Sequence, residues 1–319
     1  MTKIVECVPN YSISGNPAAM EQITLPFQTT KGVHLVNVEG DTSYNRTVVT
    51  VIGEPQAVKA AMVESAKIAV ECIDMRKHHG EHKRMGAIDV VPFIPIQDMT
   101  VEEAVALSEE CAKEFHEATD IPVFLYSLSA KREQCASLPD IRKGEFEGMA
   151  EKLKDPYWKP DFGTAVHPTA GVTAVGCRPL LIAFNIDLNT DNRKIAAAIA
   201  RMVRYSGGGY RCIQAGPVTL EDKGIVQVTM NVTDFTKTSV YRAFEAVKME
   251  AKRYDVEVIG SEFIGLVSMD CLKDIAAYYL HVASKAEVTL NLEELVAYVS
   301  EQLKLHDFDA SKVIEYHVH

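Results

Sequence analysis

Apolar and polar residues alternate along the chain in segments, and the period of the pattern switches between that of a strand and that of a helix. β-Branched residues dominate several short runs, which predicts strands, whereas alanine and valine recur at helical spacing over residues 56–73. Thr100 is a typical N-cap residue before another helical segment. The predicted strands of the first half are 3–8, 34–38, 47–52, 90–96 and 121–126, and the predicted helices are 17–29, interrupted at Pro26, 56–73 and 101–119. This alternation is expected of a layered α/β fold.

A second series of strands and helices begins at residue 179. Its predicted strands are 180–188, 224–232 and 256–259, its predicted helices are 191–205, 239–254 and 269–283, and the tail adds a helix at 292–303 and a strand-like segment at 313–317. This order predicts an α+β domain with its helices on one face of a sheet. A chain of 319 residues is long for one core, so we expect two domains, residues 1–178 and 179–319.

Residues 130–172 interrupt this rhythm and are rich in lysine, glutamate, glycine and proline. A segment of this length without regular structure in a compact domain is usually functional or disordered. The aromatic residues Phe146, Tyr157, Trp158 and Phe162 indicate packing against other parts of the protein, which favours a functional role.

Composition disfavours several classes of partner and compartment. The net charge of −11 disfavours nucleic acid, whose phosphates need a basic surface. No apolar run approaches the roughly 20 residues that a membrane helix requires, and the first residues lack the pattern of a secretory signal. The seven cysteines are scattered without a CxxC pair, which is typical of reduced thiols, so we expect a cytoplasmic protein without membrane contact.

Residues 73–95 carry the strongest chemical signal in the sequence. Three of the ten histidines, His78, His79 and His82, lie here around Gly80, and the apolar run that follows predicts a buried strand. Histidine titrates near neutral pH, so such a cluster on a glycine-containing loop before a core strand indicates an acid/base site. The alternative is a surface loop with scattered histidines.

Two other motifs are weaker candidates. His78 and His82 have the spacing of metal ligands on a helix, but His79 stands where a zinc hydrolase needs glutamate, and Gly80 breaks the helix, so we expect no metal. The SGGG sequence at 206–209 lacks the lysine and the strand-to-helix context of a phosphate-binding loop, and it is typical of a helix C-terminus.

The polar segment 39–46 is a better candidate for a site. Glu39 and Asp41 supply carboxylates, and Asn45 and Arg46 supply hydrogen-bond donors directly before a predicted core strand. Strand ends commonly carry catalytic and binding groups in α/β proteins. The alternative is a solvated turn, because glycine, aspartate and serine favour turns.

Motifs along nearly the whole chain resemble those of the glutamate formimidoyltransferase family, in the family's order and spacing. They are ECVPNYS at 6–12, NRTVVT at 45–50, IDMRKHHGEHKRMGAIDVVPFIP at 73–95, IRKGEFEGM at 141–149, WKPDFG at 158–163, LIAFNIDLNT at 181–190, GIVQVTMNVTDF at 224–235 and VIGSEFIGLV at 258–267.

The resemblance implies an enzyme of histidine degradation that transfers the formimino group of N-formimino-L-glutamate to tetrahydrofolate, giving 5-formiminotetrahydrofolate and L-glutamate. Tetrahydrofolate is then a co-substrate, and no metal is required. The resemblance also implies two subdomains, each a mixed β-sheet with helices on one face, and substrates in the groove between them. The family's acid/base histidine maps to His82. The family's folate-contacting segment maps to Gly163, Thr164, Ala165, Val166, His167, Pro168, Thr169, Ala170, Gly171 and Val172.

The sequence departs from the family pattern at several positions. Lys83 replaces the usual proline and Val91 the usual cysteine, and neither change removes a proton-transfer group. Residues 13–15 replace a common glutamate–glycine pair, and Glu39 replaces the more usual aspartate. Bifunctional relatives continue into a cyclodeaminase domain that this sequence lacks, so we expect a separate cyclodeaminase polypeptide as a partner. Family members commonly form homodimers, but no sequence pattern here marks an interface.

The implied chemistry requires a group that takes a proton from the attacking folate nitrogen and returns one to the leaving glutamate nitrogen. A side chain with a pKa near neutrality serves both steps and contributes roughly 10²–10⁴-fold to the rate. We assign this role to His82. Its basic neighbours lower its pKa, whereas Glu39 or Asp41 raises the pKa and orients the ring.

The acidic substrates also need fixed cations on a protein that is acidic overall. We expect Asn45, Arg46 and Arg84 to bind the carboxylates of formiminoglutamate, and Lys143 and Lys159 to bind the glutamyl tail of folate. The alternative for each cation is an ordinary solvated surface charge.

Two other functions remain open at this stage. Transfer of a formyl group between 5-formyltetrahydrofolate and glutamate is an alternative main or side activity. A folate-binding module without catalysis is the alternative from a different class, and the presence of His82 argues against it because binding alone needs no acid/base group.

Overall fold

The computed structural model describes residues 3–221 and 223–317 of the chain. These fall into two compact units, Met1–Arg178 and Pro179–His319. Each unit is an α+β structure built on its own β-sheet.

The first unit contains a mixed sheet. Its strands and helices are β1 (Ile4–Cys7), β2 (Asn10–Tyr11), α1 (Pro17–Thr29), β3 (Val33–Asp41), β4 (Arg46–Gly53), α2 (Pro55–Cys72), β5 (Ile88–Gln97), α3 (Val101–Thr119), β6 (Val123–Leu125), α4 (Leu138–Arg142), α5 (Glu145–Lys152) and β7 (Thr173–Cys177). The strand order is β1-β4-β2-β5-β7-β6, with β3 paired to β4 in an antiparallel hairpin. The pairs β5–β7 and β6–β7 are parallel, and the other pairs are antiparallel.

Local signals account for the start of α3 but not for the continuity of α1. The Thr100 side chain accepts a hydrogen bond from the Glu103 backbone N–H, and the Glu103 side chain accepts one from the Thr100 N–H, so a capping box begins α3. The predicted interruption of α1 at Pro26 is wrong, because the helix continues to Thr29. Pro26 lies in the last turn, where one hydrogen bond is lost, and burial of the neighbouring Phe27 offsets that loss.

Both faces of the first sheet are covered near β6 and β7. Val123 and Val175 pack in the large core that includes residues of α1, α2 and α3, whereas Phe124 and Ala174 pack in a smaller cluster with Ile141. Successive strand residues point to opposite faces. The helices α4 and α5 therefore lie on the second face, and residues 130–172 form two short helices and a packed connection instead of an unstructured loop. This differs from the expectation that helices cover a single face.

The second unit contains a four-stranded sheet of order β11-β8-β10-β9 whose described pairings are all antiparallel, so it is not mixed as expected. Its strands and helices are β8 (Ile182–Leu188), α6 (Arg193–Val203), β9 (Ile213–Leu220), β10 (Ile225–Val232), α7 (Val240–Ala251), β11 (Val258–Ile264), α8 (Met269–Tyr279) and α9 (Leu292–Leu303). The apolar residues of its strands, such as Phe184 and Val228, share one core with the helices. None of the helices in the described part of the chain is long and apolar enough to cross a membrane.

Two predictions in the second unit are wrong. Strand β9 was not predicted. It contains Gly216 and Pro217, and proline is tolerated there because β9 is an edge strand. The segment 313–317, predicted as strand-like, contains a single bridging residue, Val313, followed by a short 3₁₀ helix over Ile314–His317.

Candidate active site

The loop of residues 78–87, which we call the histidine loop, joins a 3₁₀ helix (Met75–Lys77) to β5. Backbone hydrogen bonds tie this region to residues 169–172. The Met75 N–H donates to the Thr169 carbonyl (2.8 Å), the Ala87 N–H to the Ala170 carbonyl (2.9 Å), and the Val172 N–H to the Met85 carbonyl (3.1 Å). The structure thus brings the histidine loop beside the end of the segment that the family resemblance assigns to folate.

Two glycines permit this close approach. A Cβ on Gly86 would lie 2.1 Å from the Val172 carbonyl oxygen, and a Cβ on Gly171 would lie 2.2 Å from the Met85 carbonyl oxygen. Gly171 also has a positive φ of 74°, which side-chain-bearing residues rarely adopt. Neither position accepts a side chain without movement of the backbone.

We expect Gly86→Ala to lower both the stability and the activity of the protein, because the new methyl group forces the histidine loop away from residues 170–172. Backbone displacement of this kind typically costs about 1–3 kcal/mol. Chemical denaturation and steady-state kinetics measure the two effects. Gly148→Ala is the matched control, since a Cβ there meets no atom within 4 Å. Equal stability of the two variants would contradict the argument.

The turn between β3 and β4 holds the other side of the histidine loop. The Asn45 side chain donates from Nδ2 to the His79 carbonyl (2.9 Å) and accepts at Oδ1 from the Ser14 N–H (2.8 Å). The Glu81 N–H donates to the Ser43 carbonyl (3.2 Å). Asn45 therefore holds the backbone at His79 and Ser14 in position. Because its amide makes these two hydrogen bonds, it is not free to bind a substrate carboxylate as expected.

His78 is a structural residue of the loop. It is buried, its Nε2 donates to the Asn45 carbonyl (2.8 Å), and its Nδ1 accepts from Nε of Arg84 (3.2 Å). Burial is the largest cause that lowers the pKa of this imidazole. A neutral ring with both nitrogens engaged is not available for proton transfer.

His82 is partly buried and occupies a different environment. Its Nε2 lies 2.5 Å from Nη1 of Arg46, and because a guanidinium only donates, Nε2 accepts and the neutral ring carries its proton on Nδ1. Nδ1 is buried and makes no hydrogen bond within the described chain. The Tyr44 ring lies 5.7 Å from the imidazole, centroid to centroid.

The surroundings of His82 favour its neutral form. Burial, followed by the positive charges of Arg46 and Arg142, lowers the pKa of His82 from 6.5 to about 4. The carboxylate of Asp89 and the backbone of Lys83 act in the opposite direction with smaller effect. His82 is thus uncharged near neutral pH in the absence of a bound anion.

Arg142 reaches this site from the C-terminal end of α4. The Asp89 carboxylate, 2% exposed, accepts hydrogen bonds from Nε of Arg142 (2.8 Å) and from its Nη2, both at Oδ2. Its other oxygen accepts the Met85 N–H (2.9 Å). A buried aspartate with these partners fixes the direction of the guanidinium.

These side chains surround a pocket of about 440 Å³. The residues that line it are Tyr44, Glu81, His82, Lys83, Pro139 and Arg142. The pocket therefore combines a neutral histidine with two cations and a phenol ring, which suits an acidic ligand that takes part in proton transfer.

The two units match two consecutive family models. The first, described as the formiminotransferase domain, N-terminal subdomain, matches residues 4–178, and the second, described as the formiminotransferase domain, matches residues 183–319. The chain belongs to the formiminotransferase domain family.

The sequence is also similar to individual proteins, some of comparable length and some about twice as long. A glutamate formimidoyltransferase of Streptococcus pyogenes serotype M1 is 50% identical over 283 residues, which are 88% of this chain and 95% of that protein. A glutamate formimidoyltransferase of Thermoplasma acidophilum is 40% identical over 88% of this chain and 93% of that protein. The formimidoyltransferase-cyclodeaminase of Rattus norvegicus is 38% identical over 88% of this chain but only 53% of its own length.

Arg84 has a different place from the one expected in a formiminotransferase site. Its Nη1 donates to Glu145 (3.0 Å) and Glu147 (2.9 Å), and its Nη2 donates to Glu147 (2.6 Å). Hydrogen bonding to Glu147 is the largest cause that raises its pKa. A buried guanidinium with these partners joins α5 to the histidine loop and is not free to bind a substrate carboxylate.

The two carboxylates that were expected to orient His82 have other positions, although Asp41 faces Arg46 in the β3–β4 hairpin. Glu39 is an exposed residue of β3, and Asp41 accepts a hydrogen bond from the Tyr44 N–H (2.9 Å). Neither makes a hydrogen bond to His82 in the part of the chain that the structure describes. Asp89 is the carboxylate that acts on the charge of His82.

The remaining expected residues lie at varied exposure. Lys143 and Lys159 are exposed, and their ammonium groups form no ion pair within residues 3–221 and 223–317. In the segment assigned to folate, Thr164 and Ala165 are exposed, whereas Gly171 and Val172 are buried against the histidine loop. Trp158 packs beside the smaller cluster with Lys152 Nζ 3.8 Å from its ring centre.

Sequence reasoning missed Asp89 and Arg142. A charged residue inside the apolar run of β5 needs a partner, so the sequence itself indicates that Asp89 is paired in the folded chain. The sequence does not identify the partner, because Arg142 lies 53 residues after Asp89. No group of three or more residues arranged to hold a metal occurs among the described residues.

Proposed function

We propose that this protein is a glutamate formimidoyltransferase, which transfers the formimino group of N-formimino-L-glutamate to tetrahydrofolate and releases L-glutamate. The structural observation that best supports the proposal is that, of the three neighbouring histidines, His82 lines a pocket that it shares with an arginine. The similarity to proteins named for this activity supports the choice of reaction.

His82 acts as the general acid/base in this proposal. The folate nitrogen attacks the formimino carbon, the π electrons of its C=N bond move to the imino nitrogen, and His82 takes the proton that the folate nitrogen loses. The tetrahedral intermediate then collapses, the bond from carbon to the glutamate nitrogen breaks, and His82 returns the proton to that nitrogen. Proton transfer of this kind contributes roughly 10²–10⁴-fold.

The contact between Arg46 and His82 suggests how binding and catalysis are linked. Arg46 occupies the lone pair of Nε2 and favours the neutral ring. A substrate carboxylate competes for the Arg46 guanidinium, because a hydrogen bond between two charged groups is stronger than one from a guanidinium to neutral imidazole. Binding therefore frees Nε2 and raises the pKa of His82 towards the range in which it both accepts and returns a proton.

The other assignments complete the proposal. Residues 1–178 carry the acid/base chemistry, and residues 163–172 contact folate. Tetrahydrofolate is a second substrate, and the proposed steps use no metal. Because relatives such as that of Rattus norvegicus are named for two activities, we also propose that a separate cyclodeaminase consumes the product.

The proposed activity is tested by incubating the purified protein with tetrahydrofolate and N-formimino-L-glutamate. We expect acid-dependent appearance of the methenyltetrahydrofolate chromophore, and no product when formylglutamate replaces the substrate. Consumption of 5-formyltetrahydrofolate with glutamate, but no formimino transfer, would instead show formyl transfer. Folate binding without either reaction would indicate a binding module.

We expect the His82 side chain to titrate well below the ordinary histidine pKa of 6.5 in the ligand-free protein. Its pKa is lowered to about 4, so the ring remains neutral at pH 5, whereas L-glutamate at saturating concentration raises the pKa. Heteronuclear NMR of labelled histidine side chains measures both values, and the spectrum of His82→Ala assigns the resonance. A His82 pKa near 6.5 without ligand, or no rise with glutamate, would contradict the proposed link.

A further inference from the structure

Arg142 stands out because its position is fixed more strongly than a surface arginine requires. The Asp89 carboxylate accepts hydrogen bonds from Nε and Nη2 of Arg142, and it also accepts one from the Met85 N–H. Nη1 makes no hydrogen bond in the described parts of the chain. The pair therefore presents a fixed donor beside the pocket that it lines.

The helix that carries Arg142 is held as well. Ile141 is fully buried in the cluster on the second face of the sheet. Nζ of Lys152 donates to the carbonyls of Asp140 and Ile141, both at 2.6 Å, at the C-terminal end of this short helix. Backbone and side chain of Arg142 are thus both preorganised, which reduces the entropic cost of binding a ligand.

Direct ion pairs occupy the cations of the site only in part. Arg46 is partly buried and, within the described residues, forms no ion pair with a carboxylate, while Arg142 has one in Asp89. Lys83 adds a further exposed cation at the pocket, and Glu81 is the carboxylate among the lining residues. Burial, followed by the charge of Arg142, lowers the pKa of Arg46, whereas Asp89, Tyr44 and Asp41 act in the opposite direction with smaller effect. A bound anion would stabilise the charged form of both guanidinium groups.

We propose that Arg142, held by the buried positioning residue Asp89, binds a carboxylate of the acidic substrate beside His82. This inference rests on the proposed function. It assigns to Arg142 the carboxylate-binding role that was expected of Arg84. The carboxylate accepts from Nη1 of Arg142 while Asp89 keeps its hydrogen bonds to Nε and Nη2. Arg46 faces His82 from β4, so the two guanidinium groups bind the anion from different elements.

The test compares Arg142→Gln and Arg142→Lys with Arg132→Gln. Arg132 is a matched control because it also pairs with a poorly exposed aspartate, Asp161, which likewise accepts a backbone N–H, that of Leu125. We expect Arg142→Gln to raise the KM for formiminoglutamate by about 10–100-fold, as for loss of a hydrogen bond to a charged group, with a smaller change in kcat. Arg142→Lys retains the positive charge but lacks the planar guanidinium group, so we expect a smaller rise in KM.

Asp89→Asn tests the positioning role of Asp89 by the same comparison of KM with kcat. It should raise the KM for formiminoglutamate more than it lowers kcat, while the KM for tetrahydrofolate stays within a few-fold of wild type. A merely structural pair would lower kcat and the melting temperature in both Asp89→Asn and Arg132→Gln and leave KM unchanged. That result would overturn the proposal.

Isothermal titration with L-glutamate separates this inference from the proposed function. Binding to the wild type that is lost in Arg142→Gln but kept in Arg132→Gln supports the carboxylate site, even if formimino transfer is absent. Equal glutamate affinity in wild type and Arg142→Gln overturns the inference and leaves the activity standing. Absence of glutamate binding to the wild type also overturns it.

Discussion

His82→Ala is expected to lower kcat for formimino transfer by roughly 10²–10⁴-fold, the usual contribution of general acid–base catalysis. The variant loses the group that moves the proton between the folate nitrogen and the glutamate nitrogen. His82 is only partly buried, and its removal leaves the backbone hydrogen bonds of the histidine loop in place. Tetrahydrofolate affinity and melting temperature should therefore change little. Stopped assays of product and equilibrium folate binding measure the two quantities.

The neighbouring histidine supplies the matched control for this prediction. His79 is exposed, and the loop uses its backbone carbonyl, which accepts from Asn45, so His79→Ala keeps that contact. We expect His79→Ala to retain wild-type kcat. If His82→Ala retained turnover, or if both variants lost it equally, His82 would not be the acid/base group. Loss of folate binding in His82→Ala would instead indicate a binding role.

The sequence predicted most of the helices and strands because their signals are local, but it missed the short helices α4 and α5. The capping residue Thr100 and the periodic apolar pattern predicted the bounds of α3 correctly, and those of α2 to within one residue. The misses depend on tertiary context. Pro217 is tolerated because β9 lies at a sheet edge, and Pro26 is tolerated because packing of its helix offsets one lost hydrogen bond.

The histidine loop shows the same division between local and distant information. Three adjacent histidines and a family motif identified the segment, and the motif selected His82. Their different environments arise from residues distant in sequence, because Arg46 contacts His82 across 36 positions. Proton-accepting capacity is set by such contacts, so sequence alone could name His82 but could not exclude His78 through its bonds to Asn45 and Arg84.

The arginines illustrate why residue type does not identify a binding role. Arg46, Arg84 and Arg142 all lie in family motifs, yet Arg84 is held by two glutamates of α5. Those glutamates are 61 and 63 residues away from Arg84, so the sequence did not show that they pair with it. Which arginine is free to bind a ligand follows from the pairing of charges in the folded chain.

Arg46→Met is expected to raise the pKa of His82 above about 4 and to lower kcat/KM for formiminoglutamate. Arg46 is the largest electrostatic cause that favours neutral His82, so removing its charge stabilises the protonated ring and the pKa rises. The value should stay below 6.5, because burial and Arg142 remain. Loss of one charge-assisted hydrogen bond to the substrate lowers kcat/KM by about 10–100-fold.

NMR titration of His82 and steady-state kinetics on the same variant separate the two effects of Arg46. Arg253→Met is the control, since it removes the same charge from an exposed arginine of the second unit, which pairs with Glu250. The control should leave both the His82 pKa and kcat/KM unchanged. A His82 pKa that stays near 4 in Arg46→Met would show that burial and Arg142 suffice to keep the ring neutral. Substrate binding to Arg46 could then not control protonation of His82, although the arginine could still bind the carboxylate.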